Sequence, residues 1–467
     1  MNKFSSIGLA LAALITPFTF ESAFAQSGPQ LDPEMVEELE AQGFETSPEV
    51  FKELVTGGQP NGRWKEGLTF EGLEPMPWLA SAANWVPGKE ILQPEEIRVT
   101  FMGSSPIPRP GQMGTSVYVE LGNEDSFIFD MGPGSVANYL ASGIPLNQLN
   151  DIFITHLHWD HVASVPYAFM FGAWAGRWNE TFRVYGPSGR TEKHGIAYMI
   201  DRMSEMLTWH KDSFAIFPVG QGYDLEVTEF PFDDDGGVVY EKNGVKIIHW
   251  RQSHTQDGAS AYRLDWNGMC VAFTGDGRPN SLTIKYAEGC DLVITEVQVE
   301  LNSISAGVNG VLPLMGRMTV DTSHNPGYAA GYLFNEVKPR LGMTTHMSYD
   351  AYSNPELLAQ VREYWKGPFH FGAPDMIVVN MTQDKIWVRD GVLPEYSNVA
   401  TPEFDTEAAG GLLIPPAPFS RSDIQQQEIR DLEIPPADYY PEGYAPELIQ
   451  EWPTEKPLFI PNEVLKQ

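Results

Sequence analysis

The chain has 467 residues, 30 Lys and Arg against 62 Asp and Glu, a formal net charge of -32 and two cysteines. Its length supports one large domain with a substantial core plus extensions. Its acidity argues against polyanionic partners, nucleic acid and anionic membrane surfaces included, and its cysteine count excludes a disulfide framework.

At the N-terminus Lys3 precedes the apolar stretch from Ile7 to Ile15, and Ala23, Phe24 and Ala25 precede Gln26 in a small-x-small cleavage pattern. Residues 1–25 therefore read as an export signal, and the mature protein as periplasmic or secreted. The stretch is too short to span a bilayer, and no later one reaches the roughly 20 apolar residues that spanning requires. Residues 26–96 form an N-terminal extension of acidic residues, Pro and Trp with one helix-like stretch from Pro33 to Gln42, suited to packing or to contact with a second copy in a homo-oligomer.

A core follows over 97–392. Strand-like runs at Ile97 to Met102, Ser116 to Leu121, Ser126 to Asp130, Ile152 to Thr155, Val245 to Trp250, Cys270 to Thr274, Leu292 to Glu296 and Met376 to Val379 alternate with helical patterns. Such alternation predicts layered α/β packing. Cys270 and Cys290 each sit beside an apolar run, as plain buried thiols or as one bridge. Between the strands, Val165 to Arg183 carries Phe169, Met170, Phe171, Trp174, Arg177 and Trp178, and the insertion Arg190 to Phe230 carries Met199, Met203, Met206, Leu207 and Trp209 at helical spacings. A Met and aromatic stripe belongs to a core or to an apolar lid. The lid reading makes Trp174, Arg177 and Trp178 substrate-binding residues, the arginine pairing with an anionic oxygen. Residues 393–467 hold 12 Pro and 14 acidic residues against 4 basic ones, the composition of an irregular wrapping tail.

The chemistry concentrates in His156, Leu157, His158, Trp159, Asp160 and His161, an H-x-H-x-D-H run just after a strand-like stretch. His156 and His158 lie two apart and point the same way from an extended segment, while Asp160 and His161 sit where the chain turns and can reach a neighbouring ion. Three imidazoles and a carboxylate so crowded need a metal to satisfy them. His254, Asp276 and His346 each follow a strand-like run, where loops carry function on a rigid scaffold.

This order of motifs resembles the metallo-β-lactamase superfamily, and within it the branch of ribonuclease Z and the zinc arylsulfatases. The resemblance runs from about Ile97 to Val392, through Met102 to Pro106, Phe129 to Gly134, the H-x-H-x-D-H run, Ser253 and His254, Thr274 to Pro279, His324 in Ser323-His324-Asn325, and Thr345 to Ser348. It implies an αββα four-layer sandwich with N- and C-terminal extensions. It also implies two divalent ions, zinc by type, with His156, His158 and His254 on one, Asp160, His161 and His346 on the other, and Asp276 bridging. A carboxylate at Asp276, where class B1 β-lactamases have cysteine, argues against a lactamase. His158, where the diiron flavoproteins have glutamate, argues against a redox site. Only 21 residues separate His254 from Asp276, leaving no room for a tRNA-gripping arm there.

Two adjacent ions acidify a shared water toward neutrality, and Asp160 can hydrogen-bond that water as well as ligate. In the branch resembled, a histidine at the position of His324 contacts the oxyanion or protonates the leaving oxygen, a role that competes here with capping the helix-like run Pro326 to Val337. Glu296 can orient it. The expectation is an exported dinuclear hydrolase of small-molecule sulfate or phosphate esters, with Asp160 and His324 catalytic and no nucleic-acid or membrane partner. The alternatives are a lactone or amide hydrolase on the same ligands, or a metal-binding scaffold without turnover.

Overall fold

The computed structural model describes residues 33–44, 84–87, 90–298, 312–393, 406–424, 427–435, 438 and 452–465. The export signal expected over 1–25 lies outside them. Among the described residues no helix is long and apolar enough to cross a membrane.

The chain divides into two compact units, the larger being 70–403 with 417–420. Its first sheet has nine strands: β1 (Asn84–Trp85), β2 (Ile97–Gly103), β3 (Ser116–Leu121), β4 (Ser126–Phe129), β5 (Ile152–Phe153), β6 (Phe182–Pro187), β7 (Leu225–Phe230), β15 (Ile377–Met381) and β16 (Ile386–Gly391), in the order β1-β16-β15-β2-β3-β4-β5-β6-β7. The second has seven: β8 (Val238–Lys242), β9 (Val245–Arg251), β10 (Ser260–Trp266), β11 (Met269–Phe273), β12 (Leu292–Glu296), β13 (Leu341–Thr345) and β14 (Phe369–Phe371), ordered β14-β13-β12-β11-β10-β9-β8.

Alternation along the strands explains the layering. Ile97, Val99 and Phe101 of β2, Val117 and Val119 of β3, and Val245 and Ile247 of β9 all enter one cluster between the two sheets, joined by Phe129, Phe153, Tyr262, Phe273, Leu292 and Met343. Residues of opposite parity face outward onto helices. Tyr118, Ile128 and Ile152 meet the helices Ser135–Ala141 and Val165–Trp174 through Tyr139, Val165, Phe169 and Met170. Trp250, Ala272 and Val293 meet Gly327–Val337 and Ser353–Tyr364 through Phe334 and Val361. Strands buried on both faces read as near-continuous apolar runs, which is why they stand out in the sequence. The αββα arrangement expected from the resemblance is present, with parallel pairs β4-β5-β6-β7 and β11-β12-β13-β14 joined by helical crossovers.

Two details differ from expectation, and between them one alternative left open by the sequence is settled. Strands β6, β7, β8, β10, β14 and β16 carry no strong apolar run, and short or edge-like segments such as Leu225–Phe230 are only partly buried. Cys270 and Cys290 are bonded as a disulfide. The tail, expected to be irregular, contributes a two-stranded antiparallel sheet of β17 (Gly411–Ile414) and β18 (Leu458–Pro461) to the smaller unit, which also holds the helix Pro33–Ala41.

Candidate metal centre

The carboxyl ends of β4, β5, β9, β11, β12 and β13 gather at one edge of the sandwich, and every site residue but His324, which follows a helix, sits at or just past one of them. Ligand sites at strand carboxyl ends are the general habit of parallel sheets. Close approach is needed here. A Cβ on Gly132 would lie 2.1 Å from the Asp160 carbonyl oxygen, so only glycine lets the loop after β4 meet the H-x-H-x-D-H turn.

The ligand atoms of His156, His158 and His254 fall within 4.8 Å of one another, as do those of Asp160, His161, Asp276 and His346. Asp276 Oδ2 lies between the groups, 3.9 Å from His156 Nε2, 3.3 Å from His161 Nε2 and 3.2 Å from His346 Nε2. His346 Nε2 is also 3.0 Å from Asp160 Oδ2. Buried His156 Nε2, His161 Nε2 and both Asp276 carboxylate oxygens have no hydrogen-bond partner. Buried polar atoms are rarely left so, and four converging at one point are the lone pairs that divalent cations would take.

The opposite ring nitrogens explain why those atoms face inward. His161 Nδ1 is 2.7 Å from Asp130 Oδ2, and His254 Nδ1 is 2.8 Å from the Ser323 carbonyl oxygen, so each donates from Nδ1 and turns Nε2 toward the centre. His156 Nδ1 is 3.1 Å from Thr155 Oγ1, whose hydroxyl donates to Asp130 Oδ2 at 2.7 Å. One buried carboxylate thus fixes two imidazoles. Outer partners of this kind set the tautomer and basicity of metal-binding histidines.

Protonation follows from the same crowding. Burial works against a charged His346, but Asp276, Asp160 and Glu296 outweigh it and push its pKa up to about 10. His161, likewise buried, is held well above the ordinary imidazole range by Asp276 and Asp130. Burial and the neighbouring imidazole of His161 drive His156 well below it. Protons in the metal-free site collect where a second cation would sit, which is the charge pattern a dinuclear centre exchanges for metal.

His324 does not open a helix. It follows the helix Pro313–Ser323 in an extended conformation, φ -124, with Nδ1 2.7 Å from Glu296 Oε2. Burial lowers its pKa, Glu296 and Asp276 together raise it, and the net shift is upward. Glu296 Oε1 in turn accepts from the Gly277 N–H at 2.6 Å, bracing the turn that carries Asp276. His324 and Glu296 also form a third possible ligand group with Asp276 and His346.

The substrate residues expected on the lid fare differently. Arg177 is only 2% exposed, its guanidinium donating to the carbonyls of Phe169 at 2.7 Å, Gly222 at 2.9 Å and Ala168 at 3.3 Å. It ties the helix Val165–Trp174 to the Gly222 segment and offers no face to a substrate, so that assignment is corrected. Trp174 is 52% exposed but ends a helix of ten residues that starts just past the site, about 15 Å of helix away. Trp178 lies four residues farther on and is half-buried. Asp130, Gln298 and the Ser323 carbonyl carry no metal-binding spacing in the sequence, and only the fold brings them to the centre.

The Metallo-beta-lactamase superfamily profile matches residues 109–169. Ribonuclease Z of Picrophilus torridus is 24% identical over 226 residues, 42% of this chain and 72% of that protein. Ribonuclease BN of Proteus mirabilis is 24% identical over 301 residues, 56% of this chain and 94% of that protein. The metallo-beta-lactamase fold protein YhfI from Bacillus subtilis superposes at a TM-score of 0.45 with 16% identity, covering 63% of this chain and 99% of that one. The ribonuclease relatives overturn two expectations, that the substrate is a small sulfate or phosphate ester and that nucleic acid is excluded. The exclusion rested on the short interval between His254 and Asp276 and on net charge, a sum over the whole chain that ignores the local field that cations bound at one edge would add. Over residues 109–169 the chain matches the metallo-beta-lactamase superfamily, its ligand clusters fit a metallo-hydrolase, and the branch to which it is similar is that of ribonuclease Z.

Proposed function

We propose that the chain is a two-metal phosphodiesterase that cleaves RNA, with zinc as the ion. The observation that carries the reading is the His324–Glu296 pair, 2.7 Å apart and braced against the Asp276 turn. A ribose oxygen leaves as a poor alkoxide and needs a proton in the transition state, the service of a positioned general acid. Glu296 holds the Nδ1–H of His324 and raises its pKa, leaving Nε2–H as the proton to give. Bound in the two clusters, divalent ions would supply Lewis acidity and a water acidified toward neutrality. Asp160, whose carboxylate is partly exposed beside His346, is placed to accept a hydrogen bond from such a water. His156, His158 and His254 would hold one ion, and His161, His346 and Asp160 the other, with Asp276 within reach of both.

The relatives named ribonuclease Z and ribonuclease BN support RNA as the substrate. A periplasmic or secreted location belongs to the same proposal. The buried Cys270–Cys290 bridge supports it, since disulfides persist in oxidising compartments.

The test is to load the protein with zinc, incubate it with a 5′-labelled oligoribonucleotide holding paired and single-stranded parts, and analyse the new ends. Hydrolysis with protonation of the 3′ oxygen gives 3′-hydroxyl and 5′-phosphate ends. Cyclic phosphate ends would show attack by the ribose itself, and no cutting by protein carrying two ions would remove the proposal.

A further inference from the structure

Gln298, two residues beyond β12, sits on the side of His346 opposite Asp160 and Asp276. Its side-chain Nε2 is 2.6 Å from the His346 carbonyl oxygen and 2.9 Å from His346 Nδ1. Its backbone N–H donates to the Asn325 carbonyl at 2.9 Å, within a parallel bridge to Pro326. Gln298 therefore touches both the His346 turn and the segment that follows His324.

His346 needs such a hold. The β12-β13 ladder ends at the pair Glu296 and Thr345, with one further bond from the Val297 N–H to the Thr345 carbonyl. At the next residue the chain turns into the left-handed region, His346 having φ 52. A histidine enters that region only where its surroundings enforce it. The Gln298 amide supplies the hold at the His346 carbonyl, where the strand ladder has run out. The same NH₂ also lies 2.9 Å from Nδ1, against the ring edge turned away from Asp160 and Asp276, but the bond to the carbonyl is the one that holds the turn and leaves Nε2 facing those carboxylates.

We propose that Gln298 is a positioning residue of the metal centre: its side chain holds His346 in the left-handed turn that aims Nε2 at the ion shared with Asp160 and His161, and its backbone keys that turn to the His324 segment. The proposal rests on His346 being a ligand and is independent of RNA being the substrate.

The test uses the full chain, stripped of metal and titrated with Zn²⁺ against a chromophoric chelator, for the wild type, Gln298→Met and Gln298→Asn. The wild type takes up two ions. In Gln298→Met, similar in length but unable to donate, one dissociation constant weakens by about 10- to 100-fold, the range for lost outer partners of a ligand, while the other stays within about twofold. Gln298→Asn, one methylene short, weakens the same ion. His346→Ala weakens that ion too, and adding Gln298→Met to it costs nothing further, because the two act as a unit. Thermal unfolding of the metal-free proteins shows that each variant is folded. Two unchanged constants in folded Gln298→Met, equal weakening of both, or full additivity with His346→Ala would overturn the positioning role. A wild type that binds no ion would overturn the ligand reading beneath it.

Discussion

Asp130→Asn separates a structural aspartate from one that sets the metal centre. Asp130 is fully buried at the end of β4, with Oδ1 accepting from the Thr155 N–H at 2.8 Å and Oδ2 accepting from Thr155 Oγ1 and His161 Nδ1, each at 2.7 Å. Its φ is 60, a left-handed conformation that asparagine tolerates as well as aspartate, so the backbone need not move. With the amide oxygen kept toward the Thr155 N–H, the new NH₂ faces two donors. The imidazole answers by accepting at Nδ1 and carrying its proton on Nε2, the atom an ion requires bare. The loss of an outer partner weakens a metal by about 10- to 100-fold, or roughly 1.4 to 2.7 kcal/mol. The stranded Thr155 hydroxyl costs about 1–3 kcal/mol more in folding stability. Zinc competition with a chelator reads the first effect and urea unfolding of metal-free protein reads the second. If the His161 ion is held as tightly in the folded variant as in the wild type, the tautomer argument is wrong.

Other outcomes follow from the same geometry. His324→Gln should lower kcat on RNA by about 10²- to 10⁴-fold with two ions still bound, whereas a matching loss of zinc would place His324 among the ligands. Removing metal should lower the melting temperature, because each ion stabilises by about 4 kcal/mol at a free concentration a thousand times its dissociation constant; a melting curve unmoved by chelator would argue against ions at the orphaned atoms. His249, 0% exposed with both ring nitrogens unpartnered and its ring 4.1 Å from that of Phe230, is a buried neutral imidazole outside the site. Burial pushes its pKa down to about 4 against the opposing pull of Asp234 and Asp235. Below pH 6.5 the unfolded chain takes up a proton that the folded chain refuses, so stability present above pH 6.5 drains away as pH falls toward 4. The difference is worth roughly 3 kcal/mol. His249→Phe should shrink the stability gap between pH 7.5 and pH 4.5 by most of that amount in urea unfolding, and an unchanged gap would refute it.

The sequence exposes what is local. His156, His158, Asp160 and His161 are legible because six consecutive residues carry them, and β2, β3 and β12 because their apolar residues recur at every second position or more densely. Strands such as β7 and β8 are missed because their exposed positions break the run, and their place comes from pairing with neighbours far along the chain. Arg177 shows the converse error. A cation in an aromatic-rich stretch looks like a ligand for an anion, but one of the carbonyls it satisfies belongs to Gly222, 45 residues on, and no local pattern announces that bond.

Apart from Glu296, which the sequence already offers as a partner of His324, the outer ring of the metal centre is hidden for the same reason, and it is the part that decides how the inner ring behaves. Asp130 comes from β4, Glu296 and Gln298 from β12 and its exit, and the Ser323 carbonyl from a helix end, so each partner meets its histidine only after a crossover has closed. A strand-end aspartate reads as a turn former when seen alone. Placed 2.7 Å from His161 Nδ1, it fixes which nitrogen faces the cation. The ligand inventory is therefore a property of the sequence, while ligand tautomer and aim are properties of topology. A variant that keeps every histidine and aspartate of the inner ring can still lose its metal if β4 and β5 slip by one residue, because that slip would turn Asp130 away from His161.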